Sequence, residues 1–583
     1  MRTLATLAAL GLLALPGRAP DEKAANFTLE DSAGRRTTLY DLKEAKAVVF
    51  AFLAIECPMV ARYVNRLNAA HAAYSGKGVA FFGINPNAPE TAEMVAAHAR
   101  AAGFPFPVLL DPDQKVAGGL KVEVTPTVVV LDAAFNVRYR GAIDDHKAED
   151  RVRVRYLSDA IEAVLTGKEP SPATTPTTGC SIQRRAGPDR DAPVTYANGV
   201  AEILNRRCVT CHRPGQVAPF TLGTFEQAAR WSRDIKRATG ARTMPPWKPA
   251  NHHEFRDERW LSGEEIKTLA AWSDAGAPPG DRSKAPPPPK FPEGWLMGEP
   301  DLVLTAEEYD VSAEGSDEYR CFVLPTDFEE DRWVSGVEIR PGNMKVVHHV
   351  IAYVDTGKSA EALDRRDPKP GYRSSGTGPG FIPAGEMSGW APGNMPYSTP
   401  EGVGRRLKKG ARIVLETHYH KNGRPEKDQT RIGLHFAKKP VRHPLEWITP
   451  MNWALQIPAG EKRHKVTARM KLKRDIRALS IMPHMHLIGR EILAEAELPD
   501  GTRRTLIHIP DWDFNWQDTY HFKEPVELPK GTQVHVTAYY DNSEENPNNP
   551  NRPPKPVSWG EQTTDEMCIV FLSYIRAEPG TKD

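Results

Sequence analysis

Met482-Pro483-His484-Met485-His486-Leu487-Ile488-Gly489 places two imidazoles two residues apart in a run of strand-like composition. Side chains alternate along a strand, so His-x-His sends both rings to one face and delivers two ligands together. Two further groups stand out among the 18 histidines of the chain. One is His348-His349 in Val346-Val347-His348-His349-Val350-Ile351. The other is His418 in Glu416-Thr417-His418-Tyr419-His420. Neighbouring histidines on a strand point to opposite faces, so both can serve one ion only where a bulge or strand end re-aims one of them. Around these groups, short alternating runs at 345–354, 411–420, 465–472, 491–498 and 532–540 are separated by Gly, Pro and Asn. That rhythm predicts antiparallel strands in an all-β sandwich architecture.

At 583 residues the chain exceeds one hydrophobic core, and a prior of about 150 residues per domain implies three or four units. Two Pro-rich stretches without apolar periodicity, 168–184 and 280–294, read as extended spacers. They delimit a leading unit (24–167), a middle unit (185–279) and the trailing β unit, itself divided as 295–440 and 441–580. In the leading unit, apolar runs at 47–53, 79–84 and 124–131 alternate with amphipathic segments around 58–74 and 89–102. This βαβ pattern implies a sheet covered by helices. Cys57-Pro58 follows the first run, and Val124-Thr125-Pro126-Thr127 opens a later one.

These features resemble the thioredoxin and peroxiredoxin family, in which a Cys at a helix N-terminus lies beside a cis-proline. A helix N-terminus stabilises thiolate. Two departures stand against the family pattern: Val60 takes the second Cys-x-x-Cys position, and Ala54 stands where a peroxiredoxin carries Thr. Cys57 and Cys180 are therefore candidate redox thiols, with a static disulfide between them as the alternative.

The middle unit contains Cys208-Val209-Thr210-Cys211-His212. Cys-x-x-Cys-His is the attachment motif of c-type haem: the two thiols form thioethers and His212 ligates the iron. A second Cys pair that would complete a zinc site is absent from the sequence. The segments 196–207 and 266–275 are predicted helices, the second preceded by the capping-box pattern Ser262-Gly263-Glu264-Glu265. The surroundings resemble a small all-α cytochrome c domain. Met244, in Met244-Pro245-Pro246, is the candidate second axial ligand.

The order His-His, His-Tyr, His-x-His and then Asp565-Glu566-Met567-Cys568, at intervals of roughly 65–80 residues, resembles the copper type II ascorbate-dependent monooxygenases, such as peptidylglycine α-hydroxylating and dopamine β-monooxygenases. The resemblance implies an all-β, jelly-roll-like double sandwich and two copper ions. His348, His349 and His418 would form the electron-transfer copper site. His484, His486 and Met567 would form the catalytic copper site that meets O2. Imidazole suits both copper oxidation states and thioether favours Cu(I), whereas a Met ligand is unusual for zinc. His420 shares a strand face with His418, and His418 is preferred. Cys568 has Cys321 as a candidate partner or remains a thiol.

Residues 1–19 read as a secretory signal peptide: Arg2, an apolar stretch too short to span a bilayer, then small residues. The expected location is periplasmic, with no membrane span in the mature chain. Lys plus Arg (76) and Asp plus Glu (75) leave a formal charge of +1, which offers no footprint for nucleic acid. The chain thus reads as a multidomain exported oxidoreductase. Its expected chemistry is hydroxylation of a C–H bond in a small-molecule or peptide substrate with O2. Electrons would come from ascorbate, the attached haem or a redox partner protein. A non-catalytic electron-transfer or copper-binding protein, and a thiol-disulfide redoxin or peroxidase, are the alternatives.

Overall fold

The structure, a computed structural model, describes residues 22–577 except 148, 150, 151, 184–188, 190, 314, 316, 375–377 and 561. The expected export signal at 1–19 lies outside the described residues, as does part of the first spacer. Contacts divide the chain into two compact units. One comprises Met1–Ala201, Thr224–Gly240 and Glu264–Pro286, the other Glu202–Gly223, Ala241–Gly263 and Pro287–Asp583. The fold is multidomain, with a thioredoxin-like α/β domain and a large β-rich region.

The α/β domain is organised on the strand Ala47–Phe52, every residue of which is buried. Its period of two divides the side chains between two cores: Ala47, Val49 and Ala51 face one side, and Val48, Phe50 and Phe52 the other. Val79–Asn85 pairs with it in parallel and Thr127–Asp132 antiparallel. These strands lie inside a seven-stranded sheet. Helices Pro58–Tyr74, Ala92–Ala102 and Tyr156–Leu165 occupy the amphipathic stretches.

Within that domain Arg66 pairs with Asp144 through side chains only 4% and 2% exposed. Arg66 also donates to the carbonyls of His146 (3.0 Å) and Lys147 (2.6 Å). Removing one partner of a buried pair strands the other charge away from water. Arg66→Met is therefore expected to destabilise the α/β domain by about 3–5 kcal/mol, read as an earlier first transition in guanidinium melts of the full chain.

The β-rich region holds two cores. From 302 to 436, a sheet containing Arg431–Phe436, Arg332–Arg340 and Val403–Leu407 lies against a five-stranded sheet. The latter has the order Tyr372–Ser374, Glu318–Pro325, Arg412–Tyr419, Val347–Asp355, Gly385–Trp390. Val334, Ile339 and Ile432 from the first sheet and Val350, Ile413 and Leu415 from the second share one apolar core. From 446 to 576, two four-stranded sheets do the same. One carries Ile569–Arg576 and Ile476–His484, the other Gln533–Tyr540 and Gly489–Glu497.

The middle segment does not condense into a unit of its own. Its helices Phe225–Arg230 and Ser232–Gly240 fall with the α/β domain, whereas Cys208, Cys211, His212 and Met244 fall with the β-rich region. The reason is visible in residues 241–263, which lie along the second β core. Ala250 N–H donates to the His508 carbonyl and Arg256 N–H to the His521 carbonyl, both at 2.8 Å. Phe255 forms a bridge with Phe522 and is fully buried in that core. The helix predicted at 196–207 spans Val200–Arg207, and the closing helix spans Gly263–Asp274.

Cys321 and Cys568 are both thiols, buried in different apolar clusters. Their separation leaves the suggested pairing without support.

Among the described residues, no helix is long and apolar enough to cross a membrane.

Candidate metal centres

Strand Val347–Asp355 pairs with Arg412–Tyr419, and His349 lies opposite His418. The register shifts between Val347 and His349, making His348 the extra residue of a bulge. A bulge is what adjacent histidines need to aim at one point. His349 Nδ1 lies 3.3 Å from His348 Nδ1 and 3.4 Å from His418 Nδ1. The three rings offer ligand atoms within 4.8 Å of one another, a spread that suits one metal ion.

Asp317 orients this cluster from behind. Its carboxylate is 2.8 Å from His418 Nε2 and 2.9 Å from His420 Nδ1. With Nε2 so engaged, His418 turns Nδ1 toward its neighbours, and His420 is held by the same carboxylate instead of joining them. Burial opposes the Asp317 charge, yet the hydrogen bonds from His418 and His420 hold its carboxyl well below the usual range. Tyr319, next along on Glu318–Pro325, stacks on the His418 ring at 4.2 Å. Burial above all, with the nearby histidines, keeps His349 neutral far below its ordinary value.

The second cluster stands at the end of Ile476–His484. His484 Nδ1 is 2.5 Å from Gln517 Oε1, and His486 Nδ1 is 3.1 Å from the Asp565 carbonyl. Both rings therefore present Nε2, and these two nitrogens lie 3.2 Å apart. Burial, joined by the His484 ring, lowers His486 to about 3; burial also lowers His484. Both are neutral and ready to ligate near pH 7. Met567 approaches through strand pairing: His484 is in register with Ile569, two residues beyond Met567. Phe514 lies near both clusters, its ring 6.4 Å from that of His348 and 6.0 Å from that of His486.

Residues 450–582 match the family described as copper type II ascorbate-dependent monooxygenase, C-terminal domain. That match makes the segment a copper-monooxygenase-like domain. Residues 20–144 match the AhpC/TSA family. Over 254 residues the chain is 23% identical to the DBH-like monooxygenase protein 2 of Homo sapiens, covering 40% of this chain and 47% of that protein. It thus spans about half the length of that relative. Over 111 residues it is 31% identical to the thiol-disulfide oxidoreductase ResA of Bacillus thuringiensis (strain Al Hakam), covering 19% of this chain and 62% of that one. A hypothetical protein of Sinorhizobium meliloti 1021, solved as a crystal structure, is 32% identical with a TM-score of 0.28, covering 29% of this chain and 97% of its own.

In the matched segment 450–582 the least anticipated residue is Glu566. It is fully buried and accepts backbone N–H bonds from His486 (2.8 Å), Ile488 (2.8 Å) and Met567 (3.2 Å). Its place beside Met567 was in view in the sequence, but nothing there assigned it the task of holding two ligand backbones. Gln517 and Asp317 carried no sequence signal at all, because each reaches its histidine only through tertiary folding.

A cavity of about 440 Å³ is lined by Met387, Trp390, Tyr397, Met482, His521 and Phe571 among others. Met482 stands two residues before His484, on the same strand face. Trp390 ends the strand Gly385–Trp390. His521 stacks on Tyr397 at 3.7 Å, and His508 and His535 face Glu491 and Glu497.

The Cys-x-x-Cys-His motif forms a tight turn. Cys211 N–H and His212 N–H both donate to the Cys208 carbonyl, at 3.1 and 2.9 Å. His212 Nδ1 is 3.1 Å from the Phe220 carbonyl, which leaves Nε2 for a metal. Burial lowers the His212 pKa. Among the described residues near this turn, the buried donors Arg213 Nη2, Trp247 Nε1 and Arg259 Nε lack a hydrogen-bond partner. Both arginines act electrostatically on Cys211, and the Arg259 guanidinium is 5.5 Å from the Trp247 ring. Unpartnered donors of this kind suit an anionic group. Met244 is half-buried in the same unit as His212.

Proposed function

We propose that this chain is an exported, periplasmic copper-dependent monooxygenase that converts a C–H bond of a small-molecule or peptide substrate to C–OH with O2. The balance is R–H + O2 + 2e⁻ + 2H⁺ → R–OH + H2O. The observation that carries the reading is the convergence, inside one compact unit, of two imidazole clusters whose outward nitrogens are already committed to Asp317, Gln517 and the Asp565 carbonyl. His348, His349 and His418 would hold the electron-relay copper, and His484, His486 and Met567 the copper on the O2 side. When bound, copper supplies one-electron redox chemistry and reactivity toward O2.

The residues of the chain perform the rest. Gln517 and Asp565 fix the tautomers of His484 and His486, and burial keeps the two rings unprotonated. Glu566 fixes the spacing of their backbone relative to Met567. The cavity under Met482, Phe571 and Trp390 is the substrate pocket in this reading. Its aromatic and thioether lining would surround an apolar portion of the substrate, while Arg405 and Glu386, also on its wall, address polar groups.

Electrons would reach the site from ascorbate, which the family implies, or from a c-type haem. Cys208 and Cys211 would attach the haem, His212 and Met244 would hold its iron, and the unpartnered donors of Arg213, Trp247 and Arg259 suit its anionic groups. A redox partner protein would reduce it. A jelly-roll-like double sandwich around the coppers belongs to the same proposal.

Metal analysis of the purified full chain is expected to give two copper and one iron per chain, with a pyridine haemochrome spectrum for the iron. Ascorbate and a suitable substrate should then elicit copper-dependent O2 uptake. Zinc in place of copper, or copper without O2 uptake across a substrate panel, would sink the monooxygenase reading. Reduced haem should reoxidise faster when both copper and O2 are present; equal rates would remove the haem from the electron route.

A further inference from the structure

Two cysteines distant in sequence meet in the α/β domain. Cys57 is the N-cap residue of Pro58–Tyr74, and its thiol donates to the Thr125 carbonyl at 3.1 Å. The short strand Cys180–Ser181 pairs antiparallel with Val124–Thr125 and sets Cys180 opposite Thr125. The two thiols are in hydrogen-bonding contact, and the backbone N–H groups of Met59 and Val60 address the Cys57 sulfur.

The approach is built into the chain on both sides of Cys180. A Cβ at Gly179 would fall 2.0 Å from the Thr125 carbonyl oxygen, so only glycine permits this strand to lie so close. On the other side, Ser181 donates to the Asp234 carboxylate from its N–H (3.0 Å) and its hydroxyl (3.1 Å). Arg237 donates to the Gly179 carbonyl at 2.6 Å, and Arg233 to the Ile182 carbonyl at 3.2 Å. All three side chains belong to the helix Ser232–Gly240. Cys180 therefore does not ride on a free spacer, as the Pro-rich sequence around it suggested. A helix from the middle segment holds it against the short strand Val124–Thr125.

The electrostatics distinguish the two sulfurs. The hydrogen bond from Cys180, helped by the helix N–H groups and opposed by burial, lowers the Cys57 thiol to about 7. Cys180 is pushed up by its Cys57 neighbour and by burial. Cys57 is 2% exposed, whereas Cys180 is only partly covered.

We propose that Cys57 and Cys180 form a reversible dithiol–disulfide couple that exchanges with an external dithiol through the sulfur of Cys180. In the oxidised chain, one thiolate of the external dithiol attacks Cys180 Sγ, the more accessible sulfur. The Cys57–Cys180 bond breaks and its electron pair departs on Cys57, the better leaving group. The second external thiol then attacks its own partner sulfur and releases Cys180. The external molecule leaves as a disulfide, and its two protons end on Cys57 and Cys180. Two electrons have entered the chain, and the reverse sequence returns them.

The test equilibrates the full chain in dithiothreitol buffers of graded reduced-to-oxidised ratio, quenches with acid, alkylates under denaturing conditions and maps the peptides. The expected result is a linked Cys57–Cys180 peptide that appears in one two-electron transition. Cys57→Ser and Cys180→Ser should each leave the surviving thiol alkylated at every ratio. Gly179→Val, with native far-UV circular dichroism, should reduce the linked peptide at least 10-fold. The proposal is overturned if both thiols remain alkylated in oxidised dithiothreitol, or if Cys57 bridges to Cys208 or Cys211. It is also overturned if hydrogen peroxide forms the bond and the oxidised dithiol does not.

Discussion

His484→Ala is expected to leave the protein folded, remove one of the two proposed coppers and lower the proposed substrate hydroxylation by more than about 100-fold. The magnitude follows from a lower bound: loss of an outer partner of a ligand alone costs about 10–100-fold in metal affinity or activity, and His484 is a proposed ligand itself. Its ring hangs from the last residue of Ile476–His484, a strand whose pairing with Ile569–Arg576 is made by backbone groups that alanine retains. The ring's polar commitments are to Gln517 and His486, so the fold does not depend on it. The His348, His349 and His418 cluster draws its orientation from Asp317 and a bulge in another sheet, and should keep its copper. Copper counting by mass spectrometry, with electron paramagnetic resonance of the oxidised protein, separates the two sites. Two coppers and full O2 uptake in the variant would show that His484 is not a ligand.

The parts of this arrangement legible in sequence are those set by local periodicity. Alternating runs gave strands within a residue or two of their ends: 411–420 became Arg412–Tyr419 and 532–540 became Gln533–Tyr540. The need for a bulge at His348-His349 followed from strand geometry alone. The groups that orient the rings did not follow. Asp317 lies 101 residues from His418 and Gln517 lies 33 from His484, and no spacing rule joins them. The grouping of the middle segment was hidden for a related reason. Its helices and its Cys-x-x-Cys-His turn are each local signals, but their division between two units is decided by residues such as Phe255 and Asp234, whose partners Phe522 and Ser181 are chosen in three dimensions. Cys180 shows the converse: a Pro- and Thr-rich run suggested a spacer, and tertiary hydrogen bonds converted it into a strand.

Glu566→Gln should weaken copper binding at the His484, His486 and Met567 site by about 10–100-fold, the range for residues that act through a ligand, while the other site keeps its affinity. The carboxylate makes the ligand geometry from within the core. One oxygen accepts from His486 and Met567 N–H, the other from Ile488 N–H. Burial pushes the carboxyl up to about 8, with the backbone N–H groups pulling it back toward the charged form; protonated or not, both of its oxygens keep lone pairs that accept these N–H groups, which an amide NH2 does not. An amide is nearly isosteric but offers one acceptor and one donor group. Whichever way it turns, its NH2 meets a backbone N–H that formerly had a partner, and a buried unsatisfied donor costs about 1–3 kcal/mol. The loop carrying His486 then shifts relative to Met567, and the loss falls on metal affinity more than on folding, because the strands on either side are paired independently. Competition titration with a Cu(I) chelator measures the effect, and a wild-type affinity at this site would mean that the backbone holds the ligands without Glu566. Restoration by aspartate should be incomplete, since a carboxylate one methylene shorter cannot reach His486 and Ile488 together from the same backbone position.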